Sequence, residues 1–275
     1  MPGIGLISRE GSPVANAART EAASWLTAHG HTAVLLTRES DTTALSTVGV
    51  VIAFGGDGTL LGAAHAVAVA GLDVPVLGIN LGHLGFLTEV SRAEMLDALQ
   101  AVHDGRTRRE TRLMLRGRVE RGGLIVAERL ALNDIVVTRG ALSRMIEVDV
   151  SVDDAPVTHV KADGVIVATA TGSTAYNISA GGPILLPSVD AMVLTPIAPH
   201  ALSHRPVVLP ATATVVLKPD IDPQEDLVAT FDGQFGVKLQ PGDAIIIARA
   251  DRVVTLLRVS NRTHFDMLRE KLRWG

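Results

Sequence analysis

The run Val50-Val51-Ile52-Ala53-Phe54 passes without a polar interruption into Gly55-Gly56-Asp57-Gly58-Thr59, and an apolar, Ala-rich helical pattern follows. Five consecutive apolar residues read as a buried, parallel strand, so the chain here is a strand-loop-helix unit. Three glycines let backbone approach a ligand closely, and a helix N-terminus directs N–H groups and positive dipole toward it, an arrangement suited to phosphate. Asp57 is an anion where an anion is expected to bind. Its chemistry is that of a group that accepts a hydroxyl proton or helps hold a divalent cation. The plain alternative is that Asp-Gly is only a turn. Neither common phosphate motif explains the loop: the Lys of a P-loop is missing, and Gly56-x-Gly58-x-x-x-Gly62 misses the dinucleotide spacing by one residue.

The first third alternates strand and helix. Gly3 to Ile7, Ala33 to Leu36, Val50 to Phe54 and Val76 to Asn80 read as strands, with helices over Val14 to His29 and Thr59 to Ala70. Ser91 and Glu94 form a capping box for a short helix ending near His103. This βαβ series predicts a Rossmann-like parallel sheet with helices on both faces. Ligands of such sheets collect beyond the carboxyl ends of the strands, where both Asp57 and the loop Asn80-Leu81-Gly82-His83-Leu84-Gly85-Phe86 lie.

After about Arg109 the pattern changes to short alternating strands. Arg116 to Glu120 and Leu124 to Arg129 flank Arg121-Gly122-Gly123; Val148 to Val152 and Val157 to Lys161 flank Asp153-Asp154-Ala155-Pro156; Ala244 to Ala248 precedes a separate strand at Val253 to Val259. We expect an α/β domain at 1–109, a mostly antiparallel β domain at 110–259, and an amphipathic basic helix at Thr263 to Arg273 that docks back on the first domain.

The β domain carries a second constellation. Lys161 to Asn177 reads as an apolar strand with a charged start and a run of small hydroxyl residues at its end. Ser173, Thr174, Tyr176 and Asn177 offer hydroxyls and an amide for sugar or phosphate oxygens, and Ser179-Ala180-Gly181-Gly182-Pro183 leaves room for a bulky planar group. The alternative is a structural Thr/Ser turn. Tyr176, the only Tyr in the chain, lies inside the run.

Composition narrows the partners. With 275 residues, 47% hydrophobic and 20% charged, the chain can bury a large core. A net charge of -4 and 3% aromatic residues argue against a nucleic-acid or anionic-membrane partner, although Arg106, Arg108, Arg109, Arg112, Arg116 and Arg118 cluster locally. No apolar run reaches the length of a bilayer span and no signal core opens the chain, so we expect a cytoplasmic protein. The absence of Cys removes disulfides and thiolate chemistry. His200 and His204 have i, i+4 spacing, but the Glu of H-E-x-x-H is missing and Pro199 and Pro206 interrupt a helix there, so no metal ligation is expected.

The segments FGGDGTLL, GINLGHLGFL, ALNDIVVTRG, DG…TATGSTAYN…SAGGP and TPIAPHALSHRP, in this order, resemble the NAD kinases over most of the chain. GGDGT alone is also similar to diacylglycerol and sphingosine kinases, with a distant likeness to 6-phosphofructokinases. The resemblance implies transfer of the γ-phosphoryl of ATP, or of polyphosphate, to the 2′-hydroxyl of the adenosine ribose of NAD, with Mg²⁺ or another divalent cation. It implies a β-sandwich C-terminal domain and a homodimer or homotetramer. By the same resemblance Asp57 is the base and Gly58 lies against NAD, with Phe86 either touching adenine or belonging to the core. Asn133 and Asp134 match an Asn-Glu pair that holds the adenosine, with Asp one methylene shorter than the usual Glu. Arg144 and Lys161 match basic positions near the substrate, Asp163 an acid at the nicotinamide end, and Thr174, Ala175, Tyr176, Asn177, Ile178 and Ser179 the lining of the NAD pocket. Gln234 matches a late Gln contact, and Ala170 replaces a usual Pro. A lipid kinase, or an NAD(P)-binding regulator without turnover, are the competing readings.

Overall fold

The computed structural model describes residues 2–37, 42–82, 85–140, 145–222 and 226–274. The chain forms two compact units, one from residues 1–111 and 254–275, the other from residues 112–253.

The first unit contains β1 (Gly3–Ser8), α1 (Pro13–Ala28), β2 (Ala33–Leu36), α2 (Thr42–Ser46), β3 (Val48–Phe54), α3 (Asp57–Ala70), β4 (Val76–Asn80), β5 (Val90–Ser91) and α4 (Met95–His103). The strands run parallel in the order β2-β1-β3-β4, with β5 beside the end of β4. Alternation along the strands assigns the faces. Ile4, Leu6, Ile52, Phe54, Leu77 and Ile79 pack with Ala18, Ala22 and Leu26 of α1 and Met95 and Leu99 of α4. Gly78, of opposite parity, faces Leu60 of α3, so α3 covers the other side. The parallel sheet was readable because strands buried on both faces are apolar without interruption.

The second unit takes in most of β6 (Arg108–Arg121), then β7 (Leu124–Ala131), β8 (Asp134–Arg139), β9 (Ile146–Val152), β10 (Ala155–Ala162), β11 (Gly164–Thr169), a 3₁₀ turn at Gly172–Thr174, α5 (Tyr176–Ser179), β12 (Ala191–Ile197), β13 (Val207–Pro210), β14 (Val215–Asp220), β15 (Leu227–Phe231), β16 (Phe235–Lys238) and the start of β17 (Ala244–Arg258). Six strands form an antiparallel sheet in the order β13-β12-β11-β8-β15-β16. A second antiparallel layer runs β10-β9-β14-β17. Val137, Val165, Val167, Met192 and Leu194 from one layer meet Val148, Val150, Val215, Leu217, Ile245 and Ile247 from the other, which makes this unit a sandwich.

The end of β17 and α6 (His264–Leu272) belong to the first unit, where Leu256 pairs with Val76. The Thr263 side chain caps α6 in a reciprocal box with Asp266. Hydrogen bonding to Thr263, assisted by Arg269, holds the Asp266 carboxyl down at about 2.

Several local expectations shift. The helix after Gly56 begins at Asp57 rather than Thr59. Ser91 is the end of β5, and α4 starts only at Met95; the Ser91 hydroxyl and N–H both donate to Glu94 Oε2, so only the Glu half of the expected box forms. Ala244 to Arg258 is one continuous strand, within which Arg249 pairs with Asp190 and Asp251 with Arg116. The turn between β9 and β10 is the two residues Asp153 and Asp154, both with positive φ, the type that matches the twist of a hairpin.

Candidate functional site

Asp57 stands in the first turn of α3, after the extended N-cap Gly56, where an anion is favoured by the helix dipole. Its carboxylate turns toward the segment after β4. The backbone N–H of Phe86 donates to Oδ2 at 2.8 Å, and those of Leu87 and Thr88 donate to Oδ1 at 3.2 and 3.0 Å. The Thr88 hydroxyl donates to Oδ1 at 2.8 Å and itself accepts from Asn80 Nδ2 at 2.7 Å. Four donors thus fix one rotamer, three of them on Oδ1, so Oδ2 is the oxygen with spare acceptor capacity. Gly85 is required here, since a Cβ would fall on the Asp57 carboxyl, and Gly55 is required beside Thr59 for the same reason. Gly56 and Gly58 are exposed, and Phe86 is half-buried with its N–H committed to Asp57.

The clamp has its own support. Arg258 Nη1 donates to the Leu87 carbonyl at 3.1 Å, and the guanidinium pairs with Glu89 at 3.4 Å and Glu110 at 3.1 Å. Glu89 in turn accepts the N–H groups of Val259 and Ser260, while Arg262 donates to the Glu89 carbonyl. The motif read from the sequence stops at Leu87, one residue short of Thr88, and Glu89 and Arg258 lie outside it as well; a charged residue ending a long apolar strand was the available signal for Arg258.

In the second unit, Asn133 lies between β7 and β8, half-buried, and Asp134 begins β8 at 5% exposure. Three elements grip this segment. Thr169 Oγ1 donates to the Leu132 carbonyl at 2.6 Å and the Thr169 N–H to that of Asn133 at 2.8 Å. Gly172 packs so closely on the Asn133 backbone that no side chain fits there. The Asp232 carboxylate, from the Asp232-Gly233 turn between β15 and β16, accepts the N–H groups of Leu132, Asn133 and Asp134 at 2.9, 2.7 and 3.2 Å. Burial first, then the charge of Asp232, raise the Asp134 carboxyl to about 7, against the opposing N–H of Tyr176. Burial likewise raises Asp232, opposed by its three N–H donors.

The expected binding set divides. Asn133, Asp134, Thr174, Ala175, Tyr176, Ile178 and Gln234 gather at one end of the β8–β11 pair, with Tyr176 46% exposed and Gln234 two residues past Asp232. Asp163 sits at the other end, paired with Arg139 at 3.1 Å, because Gly164 lies opposite Thr138 while Ala168 lies opposite Asp134. Four strand residues, about 13 Å, separate the ends. Lys161, in β10, pairs with Glu147 at 2.6 Å. Arg144, His83 and Leu84 lie outside the described residues.

Within the cluster the side chains differ in what they can offer. Asn177 is fully buried: Nδ2 donates to the carbonyls of Ser173 at 2.9 Å and Pro183 at 3.0 Å, and Oδ1 accepts from Thr195 at 2.6 Å. Ser173 is equally enclosed, bonding to Ala170 and Leu185. These two hold the loop together and present no group outward, contrary to the reading of both as ligand contacts. Thr174 is also buried, while Ser179 is exposed. Among the described residues no three His, Asp or Glu side chains stand together as a metal cage, and no helix is long and apolar enough to cross a membrane.

Comparison with known proteins agrees with this architecture. Residues 15–107 match the ATP-NAD kinase N-terminal domain and residues 132–259 the ATP-NAD kinase C-terminal domain. The NAD kinase of Citrifermentans bemidjiense is 40% identical over 100% of this chain and 99% of its own, and that of Koribacter versatilis 48% identical over 82% and 77%. Among solved structures, an NAD kinase from Archaeoglobus fulgidus in complex with ATP superposes with a TM-score of 0.77 at 25% identity, covering 99% of each chain. Yeast NADH kinase complexed with NADH shares the fold, with a TM-score of 0.86 at 24% identity over 99% of this chain and 88% of that one. The chain belongs to the NAD kinase family.

Proposed function

We propose that the protein transfers the terminal phosphoryl group of ATP to the 2′-hydroxyl of the adenosine ribose of NAD, giving NADP and ADP. The observation that carries this reading is the four-donor clamp on Asp57, in a chain 40% identical along its length to an NAD kinase. A sugar hydroxyl is a weak nucleophile. As its oxygen bonds to the γ-phosphorus and the bond to the β–γ bridging oxygen breaks, its proton passes to Asp57 Oδ2, which a fixed rotamer holds ready; a positioned base of this kind is worth ~10²–10⁴ in rate. Asn133 and Asp134 hold the adenosine, with Tyr176 and Gln234 beside them.

A Mg²⁺ ion carried in on the donor's phosphates would neutralise charge on the transferred group. Polyphosphate is the alternative donor.

Incubating the protein with ATP, Mg²⁺ and NAD and detecting NADP with a coupled reductase tests the reading. NADP is expected. No NADP, with phosphate entering a lipid extract instead, would establish the lipid-kinase reading. Asp57→Asn is expected to keep NAD affinity while turnover falls by ~10² or more; turnover near wild type would remove Asp57 from the base role.

A further inference from the structure

The turn between β15 and β16 does more than reverse the chain. Asp232 and Gly233 have φ of 52° and 62°, the two positive values of a tight hairpin turn, and Asp tolerates that conformation. A turn requires only the backbone. Here the Asp232 side chain reaches across the sheet's end and accepts three successive N–H groups, those of Leu132, Asn133 and Asp134, while its own N–H donates to the Asp134 carbonyl at 2.9 Å. This segment joins β7 to β8, and β8 pairs with β15 in register Ile135 to Phe231, so the cap lies where the ladder ends.

We propose that Asp232 is a positioning residue for nucleotide binding, holding Asn133 and Asp134 at the angle at which they meet the adenosine of NAD. The proposal rests on the reading of Asn133 and Asp134 as NAD contacts. Its geometry is that of a carboxylate nest: charge-assisted bonds to backbone N–H groups are short and strong, and they fix the direction of the side chains carried by that backbone. Asp232 also sets the electrostatics of the position next to it. Of the groups facing the Asp134 carboxyl, Asp232 brings a negative charge from the β15–β16 turn and Tyr176 brings an N–H from α5. Removing the Asp232 charge therefore eases ionisation of Asp134, which gives a signature that loss of packing alone does not produce.

The test compares Asp232→Asn, Asp232→Ala and Asn133→Ala in the full-length protein, measuring KM for NAD, KM for ATP and kcat across pH 5.5–8.5, with thermal melts to confirm folding. Asp232→Ala is expected to raise KM for NAD by ~10-fold, more than it changes kcat or KM for ATP. Asp232→Asn is nearly isosteric, keeps an acceptor oxygen and suits the same φ, so it recovers part of the loss while moving the pH dependence of KM for NAD to lower pH. If Asp232→Asn and any folded Asp232→Ala leave KM for NAD within twofold of wild type with an unshifted pH profile, while Asn133→Ala raises it, Asp232 has no positioning role and the NAD reading stands. If Asn133→Ala leaves KM for NAD unchanged, both fall.

Discussion

Gly85 and Asp57 are packed so that the missing Cβ of one is the space occupied by the carboxyl of the other. The same Gly85 donates its N–H to the Thr88 carbonyl at 3.3 Å, tightening the turn whose N–H groups hold Asp57. Gly85→Ala must therefore push the Asp57 carboxyl off its four donors or open the turn. Displacements near 1 Å at a reacting group cost ~10²-fold in rate. We expect kcat for NADP formation to fall by about that factor, with a circular dichroism spectrum like wild type; unchanged kcat would show that the clamp geometry is not needed.

Arg258 predicts a stability effect at the turn beneath Asp57. Its side chain is 9% exposed and its partner Glu89 4% exposed, so truncating the cation leaves a buried carboxylate unpaired. Breaking such a pair costs about 3–5 kcal/mol. Arg258→Met should lower the denaturation midpoint accordingly, and Glu89→Gln added to it should restore part of the loss because the unpaired charge is then gone. Additive losses in the double variant would argue against the pairing.

Asp134 gives a pH dependence with a definite sign. Its folded-state value of about 7 lies above the ordinary 3.8, so the native protein binds a proton that the unfolded chain has released between those limits. This stabilisation is complete below about pH 4 and is lost as pH rises through 7. Asp232, raised in the same direction, adds to the trend. Asp134→Asn should flatten the decline in denaturation midpoint between pH 5 and pH 8; an unaltered slope would show that Asp134 does not carry it.

Asn177 predicts a structural outcome where a polar loop residue would suggest a binding one. Asn177→Ala leaves the Ser173 and Pro183 carbonyls and the Thr195 hydroxyl without their partner. Buried groups so orphaned cost about 1–3 kcal/mol each. The melting temperature should drop clearly, and a drop confined to NAD affinity would reverse this assignment.

The contrast between Asp57 and Asn177 shows what the sequence could convey. Asp57 was legible because an uninterrupted apolar strand must end somewhere, and the loop after it carries the ligand in a parallel sheet. The donors that hold it were not, since they are backbone groups about thirty residues away that any side chain could accompany. Asn177 was misread because its bonds run to the carbonyls of Ser173 and Pro183 in its own loop and to Thr195 on β12, and a polar residue in a loop does not announce that its amide is turned inward. Asp163 and Thr174 lie near each other in the chain, yet the six residues of β11 between them carry the two to opposite ends of the strand. Asp232 went unnoticed because Asp-Gly before a strand is an ordinary hairpin signal, and nothing local reveals that its carboxylate bonds to residues a hundred positions earlier.

The first unit is assembled from both ends of the polypeptide, and this bears on how the protein is made. While a ribosome is still elongating the sandwich, the parallel sheet lacks Leu256 beside Val76, and the turn that grips Asp57 lacks Arg258 beneath it. The continuous 112–253 segment can close on itself first, and the turn that grips Asp57 gains its last bracing partners only after translation has passed Arg262. A product clipped before Val254 would keep the whole segment of the sandwich yet lose the Arg258 and Arg262 bonds that brace the Asp57 turn.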